Sequence, residues 1–327
     1  MSSRSPDSPE PRATSAEPPF HDPRLTEQRN PRTERIDVAS SLEIVDLLSV
    51  EDATVVPAVH AERERIARAI DLTVDAFRRG GRLVYVGAGT SGRLGLLDAS
   101  ESPPTFGVPP EMVVGVIAGG YPALLKSQEG SEDDVNAGAR AMDDARVSAN
   151  DMVIGIAASG STPYVRAALS RAQTLGATTG LVSCSAPPKV LVETCDVVIV
   201  PLVGPEALTG STRMKAGTAT KLVLNTISTG AMIRLGRAYG NLMVDLMAWS
   251  DKLNDRGERI VMEVCQVDRK RARAAIDAAS GSVKLAIVMV RGGLDRDEAM
   301  RRLDAADGFV RPVVGDPPPV ARRPGAK

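Results

Sequence analysis

Five short runs of apolar, mostly β-branched residues punctuate the middle of the chain, at 83–86, 112–117, 152–157, 178–182 and 197–200. Each is nearly continuous rather than alternating, as strands buried on both faces are. The stretches between them carry Ala, Leu and Arg at helical spacing. That alternation predicts a parallel sheet with helices on both faces, a doubly wound α/β domain over residues 40–254. Ahead of the strands, Ser40 and Glu43 have capping-box spacing before Ile44, Leu47 and Leu48. A longer helix is predicted through Val55, Val59, Ile66, Ile70, Val74 and Phe77, with Pro57 near its start and Gly80-Gly81 closing it. Past the last strand, the pattern predicts one long helix over 215–235 and another over 243–253. Residues 255–311 read as a small helical subdomain, with helices over 269–279 and 296–306 and glycines 281, 292 and 293 between.

The two ends carry no such pattern. Residues 1–24 and 312–327 are Pro-rich and polar, too poor in apolar surface to repay ordering, and are expected to be disordered tails. Residues 25–39 are polar and non-periodic, more like a docking arm than an element. The basic cluster Arg269, Lys270, Arg271 and Arg273 reads as a solvated helix face, since no aromatic residues accompany it for a polyanion to stack on.

Charge and composition then narrow the chemistry. Forty Lys and Arg against forty-one Asp and Glu leave a net charge of −1, without the basic excess of a nucleic-acid binder. No apolar run reaches the roughly 20 residues of a membrane span. Three cysteines are too few and scattered for a disulfide framework, so a reducing cytoplasm is expected. With only His21 and His60, a histidine-based triad or zinc site is close to excluded. The working groups must be carboxylates, hydroxyls, Lys, Arg or backbone amides, with no cofactor or metal called for.

In an open α/β sheet, ligands bind beyond the carboxyl ends of the strands. Three sequences fall there. The first, GAGTSGR at 87–93, satisfies G-x-G-x-x-G, but the second strand ends Ile117-Ala118-Gly119-Gly120 without the carboxylate that holds a dinucleotide ribose. Gly89, Thr90, Ser91 and Gly92 instead suit a terminal phosphate at a helix N-terminus. The second, ASGSTPY at 158–164, offers Ser159, Gly160, Ser161 and Thr162 ahead of Pro163 at a helix start. Together the two form a candidate phosphate cradle. The third, GPEALTGSTRMK at 204–215, opens the longest helix; its Arg213 and Lys215 read either as anion partners or as ordinary first-turn residues. Carboxylates cluster at Asp98, Glu101 and Glu132.

These motifs resemble those of the N-acetylmuramic acid 6-phosphate etherases. GAGTSGRLG at 87–95, DASESPPTFG at 98–107, GIAASGSTPY at 155–164 and GPEALTGSTRMKAG at 204–217 carry the likeness, with TEQRNP at 26–31 and NLMVD at 241–245. It runs unbroken from about residue 25 to 314. The resemblance implies a sugar-isomerase domain with strand order 2-1-3-4-5 and a C-terminal three-helix region similar to a ubiquitin-associated domain. It implies cleavage of the D-lactyl ether of a sugar phosphate, with Glu101 and Glu132 as the two active-site glutamates. By analogy, Thr90, Ser91, Ser159, Ser161 and Thr162 hold the phosphate, and Glu206, Ser211 and Lys215 are site neighbours. Ser102 stands where the family commonly has Cys. Sugar-isomerase domains commonly pair, so a homodimer with sites near its interface is expected. A sugar-phosphate-sensing regulator like the glucokinase regulatory protein, a phosphosugar isomerase and a nicotinamide oxidoreductase are the rival readings. The first is built from two such domains, and this chain has room for one.

Overall fold

A computed structural model of the protein describes residues 22–246 and 251–320. All five apolar runs are strands: β1 (Leu83–Gly87), β2 (Val113–Ile117), β3 (Met152–Ile156), β4 (Thr178–Val182) and β5 (Val197–Ile199). They form one parallel sheet in the order β2-β1-β3-β4-β5. Leu83 sits between Val113 and Met152, and Gly87 between Ile117 and Ile156, so the central strands end level with one another. The order reverses at β1 and β3, which opens a crevice at their carboxyl ends.

The sheet is buried on both faces. Leu83, Tyr85, Met152, Ile154 and Ile156 pack with residues of the helices Arg63–Arg78, Gly89–Phe106 and Lys215–Arg234. On the opposite face, Val84, Val86, Val153 and Leu181 pack with residues of Val135–Asp144 and Pro163–Thr174. Sidedness is therefore strict even though the strands read as continuous apolar runs.

Two expected helices differ. The long helix through Val55 and Phe77 is two, Val55–Ala61 and Arg63–Arg78. Between them, Glu62 leaves helical geometry at φ −92° and ψ 8°. Its carboxylate accepts the Val200 amide at 3.1 Å, past the end of β5, a partner that an uninterrupted amphipathic pattern cannot announce. The described helix is Asp251–Cys265, and of the helix expected over 243–253, residues 247–250 lie outside the described residues. Its predicted start is a strand: β6 (Ala238–Tyr239) and β7 (Leu242–Met243) form an antiparallel ribbon around Gly240, whose φ of +60° suits the turn.

The C-terminal helices Asp251–Cys265, Arg269–Ala278, Val283–Gly292 and Arg296–Ala305 enclose a separate core that includes Val261, Ala272, Ile287 and Val288. Asp268, Ser282 and Asp295 cap the last three. Within the basic cluster, Arg269 donates to Asp255 and Glu258, and Arg273 to Glu258, so two of its four charges are matched inside the subdomain. The ribbon joins this core to the sheet domain: Lys284 and Arg237 both meet Asp245 of the NLMVD segment. Residues expected to begin a loose tail pack here too. A short helix spans Arg311–Val314, Tyr239 donates its hydroxyl to the Gly315 carbonyl at 2.7 Å, and Arg291 donates to the Asp316 carbonyl. Residues 1–21 and 321–327, the remainder of the expected tails, lie outside the described residues.

Candidate active site

Two helix N-termini face the crevice, and the first of them has its first turn open. The helix Gly89–Phe106 starts directly after β1, and its N-cap, Ala88, has no side chain able to cap it. The amides of Gly89, Thr90 and Ser91 have no acceptor among the described residues. Gly89 takes φ +52°, and a side chain there would point into open space, so a ligand can reach the backbone. Gly92, by contrast, is packed; a Cβ would lie 2.6 Å from the Ile117 side chain. It seats the helix on β2, with Thr90 and Ser91 half-buried at the tip.

The second N-terminus follows β3. Pro163 opens the helix Pro163–Thr174, and Thr162, at its N-cap, makes no capping bond. Ser159 and Ser161 lie with their hydroxyls 3.3 Å apart, and the Ser161 amide points at the Ser159 hydroxyl. Gly160 has φ +76° and closes the turn against Ser183 and Pro187. The free amides of the first terminus and the hydroxyls of both are groups that can accept an anion.

The third loop is used differently. Glu206 is fully buried, and its two carboxylate oxygens accept the amides of Lys215 and Ala216 at 3.0 and 2.9 Å. It fills the N-terminus of Lys215–Arg234 that an anion would otherwise occupy. Burial raises its pKa, and those amide bonds act against the rise. Lys215 is 1% exposed, and its ammonium is bound to Glu51 Oε2 at 2.6 Å. Both residues therefore spend their charges inside the protein. Ser211 lies half-buried in the same loop. The start of this helix meets the first loop: a Cβ on Gly217 would lie 3.7 Å from the Thr90 methyl.

The arm explains why this loop is fixed. Gly210 donates its amide to the Thr26 carbonyl, Asn30 donates to the Pro205 carbonyl, and Thr33 to the Ala207 carbonyl. Arg32 forks onto Glu51, which also holds Lys215. The TEQRNP motif is visible in the sequence but this partnership is not, because Glu51 sits in an unrelated helix and looks like any surface glutamate. The Arg32 hydrogen bond leads in holding the Glu51 carboxyl down to about 2, from 4.5, against the cost of burial. Protonation thus favours the unfolded chain. The contribution, of order 3 kcal/mol, is complete above about pH 4.5 and disappears as the pH falls towards 2. Stability to urea should fall across that window, and less steeply in a Glu51→Gln protein; parallel slopes for the two proteins would rule this source out.

The two glutamates occupy different places. Glu132 lies beside the second loop, where its carbonyl accepts the Tyr164 amide at 2.9 Å in the first turn of Pro163–Thr174. Glu101 lies on the helix that the first loop opens, eleven residues beyond Thr90. At 1.5 Å per residue that is about 16 Å along the axis, further than a hexose phosphate reaches. Both side chains are exposed and have no hydrogen-bond or ion-pair partner among the described residues. One chain therefore places Glu132 beside its second loop and holds Glu101 away from its own first loop.

Residues 65–173 match the family described as the glucokinase regulatory protein N-terminal SIS domain. Over 286 residues the chain is 51% identical to the N-acetylmuramic acid 6-phosphate etherase of Aeromonas hydrophila subsp. hydrophila, covering 88% of this chain and 96% of that protein. The etherase of Serratia proteamaculans is 52% identical over 290 residues, covering 89% and 97%. Among solved structures, a phosphoheptose isomerase from Francisella tularensis aligns with 60% of this chain and 100% of its own, at 13% identity and a TM-score of 0.44. Half of all positions agree with the two etherases over nearly their whole length, and the chain belongs to the N-acetylmuramic acid 6-phosphate etherase family.

Proposed function

We propose that Glu101 and Glu132 are the acid and base of the family's reaction, working in a homodimer where Glu101 of each chain serves the cradle of the other. The enzyme cleaves the D-lactyl ether of N-acetylmuramic acid 6-phosphate, giving N-acetylglucosamine 6-phosphate and D-lactate, and is a carbon–oxygen lyase. The observation that carries the reading is an open helix N-terminus paired with a second, hydroxyl-lined one, and two carboxyl groups without partners among the described residues, in a chain of this family.

An alkyl ether resists direct hydrolysis because its leaving group is poor. In the open-chain sugar, however, the C1 aldehyde acidifies the C2 proton, and the lactyl ether lies at C3. Glu132, adjacent to the cradle, takes the C2 proton. Glu101 gives a proton to the departing ether oxygen and then activates the water that adds to C3 of the unsaturated aldehyde. Thr90, Ser91, Ser159, Ser161 and Thr162, with the amides of the first helical turn, hold the phosphate, and its charge suits the positive ends of both helices. A carboxyl group that must carry a proton near neutral pH needs shelter from water. Glu101 is exposed in a single chain, and a second copy over it would supply that shelter. Val38, Leu42, Val45 and Val50, at and before the helix Ser41–Asp52, are 57–71% exposed and offer apolar surface for association. A sugar-phosphate substrate and three unpaired cysteines suit a reducing cytoplasm.

The arrangement across two chains has a direct test. A Glu101→Gln chain is mixed with a Thr90→Val, Ser91→Ala chain, each inactive alone. Random pairing gives every mixed dimer one complete site, so roughly a quarter of wild-type D-lactate release should return. No recovery despite proven mixed dimers would place Glu101 at the cradle of its own chain.

A further inference from the structure

We infer that Asp98 is the positioning residue for Glu101; the inference rests on the acid role given to Glu101 above. The helix Gly89–Phe106 has Pro103 and Pro104 inside it, so two backbone amides that would bond the carbonyls of Ala99 and Ser100 are missing. Those carbonyls belong to the two residues just before Glu101. The turn that presents the glutamate thus has a thin backbone ladder, and something other than the helix itself must fix its rotation and height.

Asp98, one turn earlier, does this. Its carboxylate is 6% exposed and accepts three neutral donors. Tyr85 of β1 donates its hydroxyl to Oδ2 at 2.9 Å. From the helix Lys215–Arg234, Asn225 donates its amide to Oδ1 at 2.5 Å, and Ser228 its hydroxyl at 3.1 Å. Burial and the neighbouring Asp98 charge raise the Tyr85 hydroxyl well above its ordinary range, so it remains a donor. Ser102 donates back to the Asp98 carbonyl, tying the two ends of the weakened turn. A strand, the glutamate-bearing helix and the helix behind the third loop are thereby locked at one carboxylate. No cation among the described residues takes part, so the network fixes direction rather than merely balancing charge. Asp98 cannot itself reach solvent-borne substrate; it acts through the placement of Glu101.

The test is the separation of kcat from KM for D-lactate release by the full chain, with Glu101→Gln measured alongside. Asp98→Asn turns an acceptor into a donor facing Asn225, and kcat should fall about tenfold or more with KM within about twofold. Exchanging the partners, Asp98→Asn with Asn225→Asp, restores a donor opposite an acceptor and should recover kcat to within about threefold. Should Asp98→Asn fail to fold, Tyr85→Phe, which removes one donor and no charge, decides: kcat should fall about threefold or more at unchanged KM. Wild-type kcat in these variants while Glu101→Gln is inactive would overturn the positioning role alone. So would an exchange that restores the melting temperature without restoring kcat, or a loss confined to KM. An active Glu101→Gln protein would remove the acid role, and this inference with it.

Discussion

Replacing Glu101 by Gln is expected to lower turnover by about a hundredfold or more without changing the midpoint of urea unfolding. Within its own chain the side chain is exposed and bonded to nothing among the described residues, so replacing it costs no packing and no ion pair in the fold of that chain. Exposed positions of this kind usually move stability by less than about 0.5 kcal/mol. Glutamine keeps the size and the hydrogen-bonding reach of the group but can neither give up nor take a proton. A loss of rate at constant stability is therefore the signature of chemistry. Activity close to that of the unaltered enzyme would remove Glu101 from the mechanism.

The second large effect concerns stability. Glu51→Ala is expected to cost roughly 3–5 kcal/mol, because it leaves the Lys215 ammonium buried without its carboxylate. Both side chains are 1% exposed, and the pair is 2.6 Å apart. Arg32 would lose its anchor at the same time, and with it the arm would lose its hold on the helix Ser41–Asp52. Lys215→Met in the same chain removes the stranded charge, and the double variant should regain much of the loss. The measurement is the urea midpoint of the two single variants and the double. A Glu51→Ala protein as stable as the original, or additive losses in the double, would mean that the pair is not a coupled unit.

How the sequence foretells this molecule varies with how local each feature is. The strands were legible because a buried parallel strand is a short apolar run, and their ends moved by only a residue or so. The capping box at Ser40 is present as its spacing predicts, with Ser40 and Glu43 bonded reciprocally. Glu62 and the β6–β7 ribbon were not legible. A helix broken by a carboxylate that binds the end of a distant strand, and a two-residue hairpin, leave no period in the chain. The loops after β1 and β3 were legible as helix-opening turns, from glycines and hydroxyls next to strand ends. The third loop looked equally ligand-like, yet Glu206 caps a helix and Lys215 pairs with Glu51, because partners separated by many residues cannot be read from spacing. Glu101 and Glu132 rested on motif likeness rather than on periodicity, and the role inferred for Asp98 needed the contacts from Tyr85, Asn225 and Ser228.

The central claim is that the ether is broken by elimination at C3 followed by addition of water, with the lactyl carbon untouched. Only C3 lies beta to a carbonyl whose enolisation can expel the ether oxygen, and both carboxyl groups are assigned on that basis. The most direct measurement runs the reaction in heavy-oxygen water and locates the label in the products by mass spectrometry. The expected result is heavy oxygen on C3 of N-acetylglucosamine 6-phosphate and none on the hydroxyl of D-lactate. Heavy oxygen on the lactate hydroxyl would contradict the account, since water would then have cut the lactyl carbon–oxygen bond.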